Sequence, residues 1–128
     1  KRMMLYTDIY VTTYDGIDAF LDQDLRAAVS GLRRLQDALA ERGTAFVFLI
    51  SPNKAVIYPE YLPDGFVHPA ETRRKTAYER MLPLLRNEGV HLVDGHDILL
   101  AEKARSPYPL FPPGGIHWNR YAASVVLC

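Results

Sequence analysis

The sequence predicts an α/β fold in which a parallel sheet lies between layers of helices. Two observations carry this: amphipathic helical segments alternate with short, nearly continuous apolar runs, and each run is closed by turn residues. A run that is apolar at successive positions hides both of its faces, as strands of a parallel sheet do.

In chain order, residues 3–14 alternate only loosely and read as an edge strand. Across residues 17–43, Leu21, Leu25, Ala28, Leu32, Leu35 and Leu39 recur every three or four positions, with Asp22, Asp24, Arg33, Arg34, Asp37 and Glu41 on the opposite face. This is a long amphipathic helix with Gly43 as its stop. Residues 44–50 form the first apolar strand, closed by Ser51, Pro52 and Asn53. The loop that follows contains Tyr58, Tyr61 and two prolines; its rings either pack on the sheet or place a hydroxyl in a substrate groove. Residues 69–88 read as a second helix, with Tyr78, Met81, Leu82 and Leu85 on one face and Pro83 as a point of kinking or early termination. Gly89 closes it, residues 90–94 form a second strand, and a short helix covers residues 96–103. A loop over residues 104–116 leads to a last helix that opens near Asn119.

Composition bounds the function. The chain has 128 residues, of which 48% are hydrophobic and 23% charged, enough for one modest globular domain. Fifteen basic and fifteen acidic side chains cancel, and no basic block favours nucleic acid or an anionic membrane surface. The longest apolar run, Ala45 through Ile50, is far short of the roughly 20 residues that span a bilayer. The opening residues lack a signal-peptide pattern, so any targeting segment lies outside this sequence. A lone cysteine, Cys128, excludes an internal disulfide or a cysteine metal cluster. The four histidines, His68, His91, His96 and His117, lack a His-x-x-x-His spacing, and neither a metal nor a cofactor is expected.

In open parallel sheets, sites form at the carboxyl ends of the strands. Ser51 to Lys54 and Asp94 to His96 both occupy such ends. Lys54 either meets an anionic or carbonyl group in the crevice or is an exposed, solubilising lysine. Asp94 reads first as the cap of the helix after it, and His96 with Asp97 as a solvated turn. The strongest chemical candidate is His117, which follows Gly114 and Gly115 and precedes Trp118 and Asn119. A histidine in a glycine turn that opens into a helix suits a general base for hydroxyl chemistry; the alternative is a packing or capping histidine beside a tryptophan. No serine in the sequence has a nucleophile context.

The run Phe46-Val47-Phe48-Leu49-Ile50-Ser51-Pro52-Asn53-Lys54, continuing through Tyr58-Pro59-Glu60-Tyr61-Leu62-Pro63, then Val90 to Asp94, Tyr108, and Gly115-Ile116-His117-Trp118-Asn119, resembles the SGNH-hydrolase-like domain of alginate O-acetyltransferases. The resemblance covers most of the chain from about Ile17. It implies a flavodoxin-like three-layer sandwich, incomplete here, with residues 1–128 as the N-terminal portion of a single domain. It further implies acetyl transfer to hydroxyls of a bacterial exopolysaccharide, in the periplasm or at the cell surface, from a donor supplied by a membrane O-acyltransferase. In such domains a serine is acylated, a histidine is its base, and an aspartate two residues before the histidine orients it. On that pattern the histidine is His117, the aspartate position holds Gly115, the nucleophile falls beyond residue 128, and Lys54 and Tyr58 are substrate-binding candidates. The departure at Gly115 leaves a second expectation: a catalytically degenerate module that binds polysaccharide or scaffolds a secretion system.

Overall fold

The computed structural model describes residue 4, residues 8–17, 20–63, 65 and 73–128. It is an α/β arrangement of two parallel strands with helices on each face. The elements are α1 (Asp8–Tyr14), α2 (Asp22–Ala40), β1 (Phe48–Ile50), α3 (Lys54–Ile57) followed by a 3₁₀ turn (Pro59–Tyr61), α4 (Ala77–Asn87), β2 (Leu92–Asp94), α5 (Gly95–Lys103) and α6 (Arg120–Leu127). No described helix is long and apolar enough to cross a membrane.

Local chemistry fixes most helix ends. At the start of α4, the Thr76 hydroxyl accepts from the Glu79 amide at 3.2 Å and the Glu79 carboxylate accepts from the Thr76 amide at 2.8 Å, a reciprocal cap. Asn53, Asp94 and Asn119 each accept a backbone N–H from the first turn of α3, α5 and α6. Gly89 ends α4 with φ +65°, a conformation other side chains resist, and the chain turns there into β2. Pro83 sits inside α4 on its exposed side. Having no N–H, it cannot donate to the Glu79 carbonyl one turn back, and the helix continues through it.

β1 and β2 run parallel with Phe48 opposite Leu92 and Ile50 opposite Asp94. Alternation sends their side chains to opposite faces. Phe48, Ile50 and Leu92 join Val29 of α2 and Leu85 of α4 in one core, whereas Val93 joins Leu99 of α5 and Ala122 and Val126 of α6 in the other. The buried amide of Gln36 fastens α2 to the turn before β2: it donates to Gly89 O at 3.1 Å and accepts from the His91 amide at 2.7 Å. On the other face, α5 starts against the end of β1, where a Cβ on Gly95 would lie 2.6 Å from Ile50 O. Only glycine admits that approach.

Several sequence expectations change. Residues 8–14 form a helix, not an edge strand; the Thr13 hydroxyl bonds Ile9 O one turn back, and α1 packs on α3. Residues 1–3 and 5–7 lie outside the described residues. The first strand is limited to Phe48–Ile50, because only these residues face a partner. It is not hidden on both faces, since Val47 is 58% and Leu49 37% exposed. The second helix begins at Ala77; residues 69–72 and His68 lie outside the described residues.

The α4 cap is also an electrostatic knot. Arg73 holds both Glu79 oxygens at 2.7 and 2.8 Å. This bidentate pair, opposed by partial burial and helped by Thr76, lowers the Glu79 carboxyl to about 2. Its unfolded value is about 4.3, so the stabilisation is complete above that pH and is lost as pH falls toward 2. Glu79→Gln should therefore cost roughly 0.5–1 kcal/mol at neutral pH, as expected of a partly exposed pair. Urea unfolding at a series of pH values should show the gap between the two proteins closing between pH ~4.5 and ~2.

Candidate active site

The carboxyl end of β1 leads through Ser51, Pro52 and Asn53 into α3. Asn53 caps that helix, and this makes Lys54 its first residue. The Lys54 side chain is 0% exposed. Its ammonium donates to the carbonyls of Pro112, Pro113 and Gly115 at 2.8, 3.0 and 2.7 Å. Burial pulls the amine below the usual lysine range, while three converging carbonyl dipoles favour its charged form. One turn later the Tyr58 hydroxyl accepts the buried amide of Leu110 at 3.0 Å, and its ring meets Phe111 edge-on at 6.3 Å. Lys103 lies over that ring at 4.8 Å and is itself held by Ile57 O and Glu60.

These two side chains anchor the loop over residues 110–119. Asn119 closes its base: its amide N–H donates to Leu110 O at 2.9 Å, its side chain donates to Pro109 O at 2.5 Å, and its Oδ1 caps α6. Tyr10 of α1 donates to Ile116 O at 3.3 Å. Trp118 packs half-buried against the α5/α6 core, and His117 stands exposed at the loop surface. A proline-rich loop is poor in N–H groups and rich in carbonyl acceptors, which a buried ammonium can gather from one side.

Lys54, expected in the crevice or exposed, is buried, and the carbonyl groups it meets belong to its own chain. Tyr58 likewise directs its hydroxyl at a loop amide, not at open solvent. Both therefore reach His117 through the loop that carries it. Sequence reasoning missed Tyr10 and the base-closing role of Asn119; for Asn119 the signal was present, a side chain with both donor and acceptor at a helix start after a proline loop.

Asp94 caps α5 as its position suggested, accepting from the Asp97 amide at 3.2 Å. Its other oxygen accepts from the Tyr78 hydroxyl at 2.9 Å and lies 3.7 Å from Arg86. Burial, and then Asp94, raises the Tyr78 hydroxyl well above the usual tyrosine range. His96 stacks on the Tyr78 ring at 4.1 Å, and burial lowers its imidazole, so it is not a solvated turn residue. Among the described residues no three His, Cys, Asp or Glu side chains converge as a metal set would.

Position 115 has its own constraint. A Cβ there would lie 2.5 Å from Pro112 Cγ, so the loop is shaped around a glycine. No described carboxylate is hydrogen-bonded to the His117 ring.

Lys54→Met should strand three carbonyls and cost about 2–4 kcal/mol in denaturant unfolding. Lys54→Arg should fail to restore that stability, because a planar fork does not fit a site shaped for three bonds from one nitrogen. Tyr58→Phe should cost about 1–3 kcal/mol by leaving the buried Leu110 amide without its acceptor. Gly115→Asp should destabilise the chain by at least as much as Gly115→Ala, with loop amide shifts in NMR spectra reporting the displaced Pro112 ring.

No curated protein and no solved structure matches this chain. A family model described as the SGNH hydrolase-like domain of the acetyltransferase AlgX matches residues 6–127. That match spans nearly all of the sequence and both carboxyl-end segments of the sheet, and the chain belongs to the AlgX-type family of SGNH hydrolase-like acetyltransferase domains.

Proposed function

We propose that this chain supplies the general base of an O-acetyltransferase acting on hydroxyls of a bacterial exopolysaccharide outside the cytoplasm. The observation that carries the reading is the loop over residues 110–119, which a buried ammonium holds against the carboxyl end of the sheet while His117 is left accessible. A loop held at this many points presents an imidazole in a restricted volume, as a base must be presented.

In this reading the nucleophile is a serine from the polypeptide beyond residue 128. His117 takes the serine proton as the oxygen attacks the acetyl carbonyl of the donor, and returns a proton to the leaving group as the donor bond breaks. A sugar hydroxyl then gives its proton to His117 and attacks the acetyl-serine; the proton returns to the serine oxygen as the ester leaves. A membrane O-acyltransferase is the proposed source of the acetyl donor. Lys54 and Tyr58 serve the substrate indirectly, by fixing the loop.

Gly115 favours a second reading, a degenerate module that binds polysaccharide without transferring acetyl groups. Without a carboxylate partner the imidazolium is less stabilised and its tautomer less fixed, losses that reach about 10⁴-fold in rate where they have been isolated.

His117→Ala in the full-length protein should lower acetyl transfer to a polysaccharide by roughly 10²–10⁴-fold, with unfolding stability changed by less than about 0.5 kcal/mol because the side chain is exposed. Full transfer activity in that variant would overturn the assignment. Polysaccharide binding with no acetyl transfer in the unaltered protein would establish the degenerate module.

A further inference from the structure

Tyr108 is 64% exposed, yet it is held more firmly than an ordinary surface ring. Single exposed apolar groups are common and carry no meaning by themselves; the support around this one sets it apart. It lies between Pro107 and Pro109, so φ is fixed on both sides of it and its own backbone is steered to extended conformations. The Ser106 hydroxyl accepts from the Tyr108 amide at 3.0 Å and donates to Tyr108 O at 3.1 Å. Ser106 is itself tied to the end of α5, its amide donating to Glu102 O at 2.8 Å. The Tyr108 ring meets that of Tyr121 in α6 at 5.5 Å and 67°. Tyr121 packs against the α5/α6 core and donates its hydroxyl to Glu102 at 2.5 Å, and Glu102 pairs with Arg105 at 2.9 Å.

An aromatic side chain ordered in this way before anything binds loses little entropy when a ligand covers it. Its place in the chain says which ligand. Asn119 pairs through its backbone with Leu110 and through its side chain with Pro109. Tyr108 and His117 are each two residues from this Leu110–Asn119 closure, one on either side of it. Two residues of extended chain span at most about 7 Å. The ring and the imidazole thus share one short segment, and a single oligosaccharide is long enough to reach both.

The surroundings favour a sugar over an apolar peptide, which would need a continuous apolar surface. A pyranose offers a face of weakly positive C–H groups, suited to the negative face of a phenol ring, and a rim of hydroxyls. Arg105, three residues before Tyr108, and Arg120, next to Tyr121, are both exposed and carry N–H donors for such hydroxyls. We infer that Tyr108 is a sugar-stacking subsite, holding the polysaccharide at a unit other than the one presented to His117. The subsite deepens the acetyl-transfer reading and rests on it for the class of its ligand.

Titration calorimetry of the full-length protein with oligosaccharides of glucose, N-acetylglucosamine and mannuronate tests the subsite. At least one of these should bind, and Tyr108→Ala should weaken that binding roughly 10-fold. Tyr108→Phe, which keeps the ring face, should bind as the unaltered protein does. Tyr108→Leu, which keeps apolar bulk against Tyr121 but has no ring, should lose as much as Tyr108→Ala. Unchanged affinity in Tyr108→Ala or Tyr108→Leu would overturn the inference, as would the absence of binding to all three sugars. The two readings fail separately. Unchanged binding by Tyr108→Ala, where the unaltered protein forms acetyl-serine, removes the subsite alone. Weakened binding by Tyr108→Ala, where the unaltered protein never forms acetyl-serine, removes the chemistry and leaves the subsite.

Discussion

The ammonium of Lys54 is the point on which the candidate site depends. Taking such a group out of water costs several kcal/mol. Three bonds of 2.7–3.0 Å to carbonyls of residues 112, 113 and 115 offset that cost, each charge-assisted bond contributing roughly 1.5–3 kcal/mol. The balance holds only while all three acceptors stay in place, so the lysine and the loop order one another. The loop is fixed to α3, and α3 to the end of β1 by the Asn53 cap. The position of His117 is thereby tied to the sheet through covalent and polar links, not through packing alone.

The sheet supplies the frame to which that link is attached. Two strands of three residues make a small ladder, and a pair of this size is stable only when covered on both faces. Gln36 on one side and the close approach of Gly95 to Ile50 on the other set the distance and angle of the two helical layers. Because the strands are parallel, their carboxyl ends emerge on one edge, and the segments following β1 and β2 are delivered to the same region. The Tyr78, Asp94 and His96 cluster at the end of β2 and the Lys54 clamp after β1 are two results of that single arrangement.

Much of this was legible from local signals. The leucine spacing of α2 marked a helix but only part of its buried face: Leu25 is buried and Leu32 and Leu39 half-buried, whereas Leu21, Ala28 and Leu35 are exposed and Val29 and Gln36 are buried in their place. Asn119 and Asp94 stand immediately before the helices they cap. The start of α4 was readable too, since Thr76 and Glu79 have the spacing of a reciprocal cap, and that signal outweighs the weaker helical pattern ahead of it. The family was recognisable because the segment from Phe46 to Pro63 and the turn from Gly115 to Asn119 are continuous in sequence. α1 was not legible, because a helix of seven residues is marginal by itself and forms where α3 gives it a surface. The true length of β1 was also hidden, since an apolar run records what is buried and not how many residues find a partner strand.

What the sequence by itself determined is therefore the long helix α2, the two strands, the helices α4 to α6, the cap at Asp94, the α/β class and the resemblance to the family, all of which depend on residues within a few positions of one another. Only the tertiary structure decided that Lys54 is buried, that it grips carbonyls 58 to 61 positions away, and that Gly115 is required by the ring of Pro112. It alone decided which face of the sheet each helix covers. The physical reason is the range of the forces involved. Helix caps and turns are satisfied by neighbours along the chain, whereas the burial of a charge is tolerable only where distant carbonyls have been brought around it, and their arrival is a property of the folded chain.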